Sequence, residues 1–143
     1  MRTLGIDFGE RRIGIAISDP EGRLAVPLKT LERRRDRAAI GALVHLVAEE
    51  AVEALVIGEP RGLDGRRGEA AERAVAFGRR LANATGLPLE TIDEALTSVA
   101  AAERLRAAGV DLRKHPERID AVAAQLLLQD ALDRRARDQP SPP

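Results

Sequence analysis

Two apolar runs, residues 3–8 and 12–18, are separated only by Gly9, Glu10 and Arg11. Each reads as a β-strand, and so short a gap permits only an antiparallel hairpin. Asp19-Pro20-Glu21-Gly22 follows with turn chemistry, proline second and glycine fourth. A third strand is predicted near residues 24–31. Ile40, Leu43, Val44 and Val47 recur at helical spacing and predict a helix over 36–50. Residues 54–57 predict a short buried strand that stops at Gly58. The glycine-rich stretch 58–68 reads as a loop. A helix over about 69–84 places Ala71, Val75, Gly78 and Leu81 on one side and ends at Gly86. Residues 89–93 predict another strand. Thr97 or Ser98 can cap a short helix that Gly109 stops near Ala108. Pro116 suits the first turn of a last helix over 116–135, with a stripe of Ile119, Val122, Ala123, Leu126 and Leu127.

This order, three strands and then alternating helices and strands, predicts an α/β fold around a mixed five-stranded sheet. Strands 1–3 pair antiparallel, and strands 4–5 join in parallel through crossovers, with helices on both faces. Strand 1 becomes central, beside strand 4. A chain of 143 residues suits one domain, expected over 1–135, with 136–143 as a disordered tail.

Composition narrows the function classes. The absence of cysteine excludes disulfides, thiolate zinc sites and cysteine nucleophiles. No apolar run approaches the roughly 20 residues of a membrane helix. Residues 1–4 lack the apolar stretch of a signal peptide, so the expected location is cytoplasmic, with no membrane partner. Phe8 and Phe77 are the only aromatics, too few for stacking single-stranded bases. Formal net charge is zero, but arginines cluster at Arg11 and Arg12, at 33–37, and at Arg61, Arg66 and Arg67. Arginine suits bidentate phosphate contacts. A biased genome produces the same excess. Arg11 and Arg12 follow the first strand, where a phosphate would approach; a solvated hairpin turn explains them equally well. Ser18 has no histidine placed to activate it, and the loop after Gly58 lacks a Walker ending.

Three acidic points stand out. Asp7 ends the first strand, Asp93-Glu94 end the fifth, and Asp120 lies near the start of the last helix beside its apolar stripe. Carboxylates at the C-terminal ends of neighbouring parallel strands share the sheet edge where α/β proteins hold ligands. Converging carboxylates repel one another, and a divalent cation resolves the repulsion. Oxygen-only ligands point to Mg²⁺ or Mn²⁺, and a pair of such ions can clamp a phosphodiester. Strand alternation turns Asp93 and Glu94 to opposite faces, so at most one serves. Taken alone, Asp120 reads better as a solvated helix-start carboxylate than as a metal ligand.

The run Gly5 to Asp19, with Gly5-Ile6-Asp7-Phe8-Gly9 and Arg12-Ile13-Gly14-Ile15-Ala16, resembles the opening of the YqgF family, also called RuvX. Val56 to Pro60 with Asp64-Gly65 resembles its Gly-x-Pro loop. Ile92-Asp93-Glu94-Ala95-Leu96-Thr97-Ser98 is similar to its Asp-Glu-Arg-x-Thr motif, and Ile119-Asp120-Ala121-Val122-Ala123-Ala124 to its last helix. The resemblance spans residues 3–133. It implies an RNase H-like fold and a metal-dependent nuclease acting on structured RNA, the 5′ end of pre-16S rRNA, in ribosome biogenesis. The older proposal for the family is a Holliday junction resolvase acting on branched DNA, which would need a homodimer rather than a monomer. By motif match, Asp7, Glu94 and Asp120 would be catalytic. Asp7, Glu94 (or Asp93) and Asp120 would supply the metal ligands. Arg11, Arg12 and Arg61 are the candidates for nucleic-acid contact. The family's arginine after Asp-Glu is Ala95 here. That departure and the neutral net charge also fit a module that binds nucleic acid without cleaving it.

Overall fold

The computed structural model describes residues 1–60, 68–94 and 97–138, with the backbone alone at residues 94 and 97–99. The hairpin strands are β1 (Thr3–Phe8) and β2 (Arg12–Ser18), followed by β3 (Ala25–Glu32), α1 (Asp36–Glu49) and β4 (Ala54–Pro60). Then come α2 (Glu69–Thr85), β5 (Leu89–Glu94), α3 (Thr97–Ala107) and α4 (Glu117–Asp138). The sheet order is β3-β2-β1-β4-β5. β1–β2 and β2–β3 are antiparallel, whereas β1–β4 and β4–β5 are parallel. The mixed five-stranded sheet and its central β1 are as the element order requires. None of the described helices is long and apolar enough to cross a membrane.

The two faces of the sheet are built differently. On one, Leu4, Ile6, Ile13, Ile15, Ile17, Leu55 and Ile57 pack against Leu43 and Leu46 of α1 and Phe77 and Leu81 of α2. These are large branched side chains, the usual filling between a sheet and its covering helices. The opposite face is lined by small residues. Ala16, Ala25, Val56 and Ile92 meet Ala124, Leu127, Leu128, Ala131 and Leu132 of α4. Gly5 and Gly14 complete it: a Cβ on Gly5 would stand 2.7 Å from the Leu128 Cβ, and one on Gly14 would collide with the Asp120 carbonyl. Helix α4 therefore lies unusually close to β1 and β2. Its outer side is covered by α3, where Ala101 packs with Val122 and Ala123. Burial on two sides explains why α4 carries a broad apolar band rather than one stripe.

Two boundaries differ from the sequence expectation. β4 continues through Gly58 and Glu59 to Pro60, because β5 pairs with it that far, Glu59 with Asp93 and Pro60 with Glu94. α4 continues past 135 to Asp138, held near its end by Arg135, whose Nε and guanidinium nitrogens donate to Glu90 and to Thr3 Oγ1. The rest of the expected tail, residues 139–143, lies outside the described residues, as do Arg61 and Ala95.

Candidate metal centre between the hairpin and helix α4

Strand alternation decides which residues share a face. Gly5 of β1 faces α4, and Thr3 receives the bond from Arg135 of α4, whereas Leu4 and Ile6 belong to the other core. Asp7 has the parity of Thr3 and Gly5, so it belongs to the α4 face. Its partner directly across the hairpin is Gly14. The Asp120 main chain sits on Gly14, with no room for a Cβ between them. Asp7 and Asp120 are thus brought to one corner of the molecule from opposite ends of the chain.

The start of α4 is held there by more than packing. Gly14 pairs with Thr30 of β3 on its other side. The Thr30 hydroxyl donates to the Glu117 carbonyl at 2.6 Å. One rung of the sheet, Thr30-Gly14-Asp7, therefore carries the first turn of the helix. Arg12 Nε donates to Asp120 Oδ2 at 2.8 Å, with the carboxylate the more enclosed partner. Burial pushes the Asp120 carboxyl above the usual aspartate range, and the Arg12 charge pulls it partway back. Asp120 and Glu117 both lie in the first turn of α4, where the helix dipole favours negative charge.

The same parity separates Asp93 from Glu94. Ile92 packs in the α4 core, and Glu90 meets Arg135 of α4. Position 94 continues that alternation onto the α4 face. Position 93 belongs to the opposite face, where Asp93 is exposed and pairs in register with the buried Glu59. Asp93, expected as a possible metal ligand, is therefore carried away from Asp7 and Asp120. Among the described side chains, no three acidic or histidine groups stand close enough to hold a metal ion, and that of Glu94 is not one of them. The donor types fit hard divalent cations: the main chains of Asp7 and Asp120 meet at one corner, Glu94 ends β5, and the chain has no cysteine.

The arginines have different fates. Arg12, expected at nucleic acid, is engaged with Asp120. Arg11 is exposed at the hairpin tip, with its carbonyl accepting from the Arg33 amide. In the sequence Arg33 is legible only as a member of a basic run. Its guanidinium stacks 4.3 Å over Phe8, which stacks in turn on Phe77, and it donates to the Gly9 and Glu10 carbonyls and to Asp36. It fastens the turn that directly follows Asp7. A run of arginines carries no sign of which member does this; a lone aromatic at a strand end would have been the only clue.

The model of the family described as "RuvX: Holliday junction resolvase" matches residues 1–134. A Chloroflexus aggregans protein named "Putative pre-16S rRNA nuclease" is 47% identical over 132 residues, covering 92% of this chain and 93% of its own. A Moorella thermoacetica protein of the same name is 45% identical, covering 94% and 96%. Among solved structures, the fold resembles Thermus thermophilus RuvC in complex with a Holliday junction, with a TM-score of 0.63 at 15% identity over 96% of this chain and 97% of that one. The fowlpox virus resolvase bound to Holliday junction DNA aligns with a TM-score of 0.58 at 10% identity, over 94% and 99%. The architecture is the RNase H-like fold of these resolvases.

Proposed function

This chain belongs to the RuvX family and is a nuclease, and we propose that it cleaves structured RNA with Mg²⁺ or Mn²⁺, processing the 5′ end of pre-16S rRNA in the cytoplasm. The observation that carries this reading is the seating of Asp120 on Gly14, directly across the hairpin from Asp7. The main chains of two acidic residues from distant parts of the chain are thereby brought to one end of the sheet, and Glu94 ends β5. The relatives' name supports the RNA substrate.

In this account Asp7, Glu94 and Asp120 hold the metal. When bound, divalent cations supply a lowered pKa for attacking water and charge neutralisation at the scissile phosphate. The remaining work falls to the chain itself. The Thr30–Glu117 bond and the Gly14 seat fix the main chain at Asp120 before any metal arrives. Arg33 and Phe8 hold the hairpin turn behind Asp7. Arg11, exposed at the hairpin tip, suits a backbone phosphate entering over that turn. Arg61 remains a candidate for nucleic-acid contact.

The test is direct. Purified protein with Mn²⁺ should shorten a precursor rRNA at its 5′ end, and Asp7→Asn should abolish cleavage while leaving the fold intact. Full activity in that variant would sink the assignment of Asp7. A second reading, cleavage of four-way DNA junctions, draws on the family description and the junction-bound structural neighbours. A junction has two-fold symmetry, so that reading requires a homodimer with paired sites, where the rRNA reading accommodates a monomer. Cleavage of both substrates side by side, with the mass in solution, separates the two. Binding of either substrate without turnover under Mg²⁺ or Mn²⁺ would instead favour the non-cleaving module.

A further inference from the structure

Arg12 and Asp120 stand 108 residues apart in sequence and meet through one charge-assisted bond. Each is positioned independently of the other. Arg12 opens β2 and pairs in register with Glu32 of β3. Asp120 is fixed through its main chain by the Gly14 seat and, three residues earlier, by the Thr30 bond to Glu117. The Asp120 main chain does not need Arg12 to find its place.

Arginine stays protonated in any ordinary condition, so its positive charge is permanent. A divalent cation between Asp7 and Asp120 would use the same carboxylate and be repelled by the same guanidinium. The Arg12 side chain is 42% exposed, so it has solvent into which to withdraw. We propose that Arg12 is the resident counter-ion of Asp120, which the metal must displace, so that Arg12 sets how tightly the centre loads. This rests on reading Asp120 as a metal carboxylate. In the metal-free protein the guanidinium neutralises the half-enclosed Asp120 carboxylate.

An arginine that merely oriented Asp120 would make the same contact with the opposite consequence: its loss would weaken metal binding. The sign of the change therefore discriminates. The experiment is calorimetric titration of the metal-free protein with Mn²⁺, without nucleic acid, for wild type, Arg12→Gln, Arg12→Met, Arg12→Lys and Asp120→Asn. Arg12→Gln and Arg12→Met should each bind Mn²⁺ more tightly, by up to about fivefold, the range of a half-exposed ion pair expressed as affinity. Methionine keeps the aliphatic stem, so packing is preserved should glutamine disturb the fold. Arg12→Lys retains the charge and should bind within about twofold of wild type. Unchanged or weaker binding in both neutral variants overturns the counter-ion role. Unaltered binding in Asp120→Asn would instead overturn the metal-site reading beneath it, so the two failures are distinct.

Discussion

Gly14→Ala is the smallest change that tests how the site is held. The added methyl would run into the Asp120 carbonyl and approach the Ala121 amide nitrogen to 3.0 Å. All of these neighbours are helix backbone, which cannot swing aside as a side chain can. The first turn of α4 must lift from β2, straining the Thr30–Glu117 and Arg12–Asp120 bonds together. Overpacking of this kind costs about 1–3 kcal/mol. In a domain of this size that is a fall of roughly 3–12 °C in Tm. Gly5→Ala is the matched control. Its methyl would meet the Leu128 side chain at 2.7 Å, farther along the same helix and away from Asp120. Both variants should lose stability in thermal unfolding. Gly14→Ala alone should lose Mn²⁺ affinity and cleavage at temperatures where it remains folded. Wild-type stability with wild-type Mn²⁺ affinity in Gly14→Ala would refute the seating argument. Equal loss of metal affinity in both variants would show that α4 responds as one body and that Gly14 has no local role.

Three further outcomes follow from the same structure. Gly41 lies in α1 with open space where a Cβ would be, so Gly41→Ala should stabilise the fold by about 0.5–1 kcal/mol in urea unfolding, without changing activity. The Asp120 carboxyl is raised, so the folded state holds its proton more tightly than the unfolded chain does. Its contribution to stability is then fully present below the unfolded value of 3.8 and is lost as pH rises through the raised folded value. In chelator, the stability of Asp120→Asn relative to wild type should therefore improve across that window; a pH-independent difference would contradict the assignment. Glu94→Gln should abolish metal-dependent cleavage while Asp93→Asn retains it, since position 93 lies on the opposite face of the sheet.

Much of the fold is legible in the sequence because it depends on local signals. The first hairpin follows from a three-residue gap, and Gly86 and Gly109 stop helices through left-handed backbone at φ 73° and 81°. The end of β4 is not legible, because Gly58-Glu59-Pro60 reads as loop and only pairing with β5 makes it strand. The site shows the same division. Asp7 is visible as a strand-end acid between glycines. The choice between Asp93 and Glu94 turns on which strand face α4 covers, and that is a tertiary fact. Asp120 alone resembles any solvated helix-start acid; Gly14, more than a hundred residues earlier, accounts for its position. Arg12 was legible as a cation near the site, but its partner was not, since the contact exists only once α4 folds back across the hairpin.

The central claim is that Asp7, Glu94 and Asp120 together hold a divalent cation. A crystal soaked with Mn²⁺ and measured at the manganese absorption edge tests it most directly. The account predicts anomalous density bounded by those three carboxylates, with Arg12 withdrawn from Asp120. Density on the opposite face of the sheet, at Asp93 and Glu59, or an undisturbed Arg12–Asp120 bond at full Mn²⁺ saturation with no peak at that corner, would contradict it.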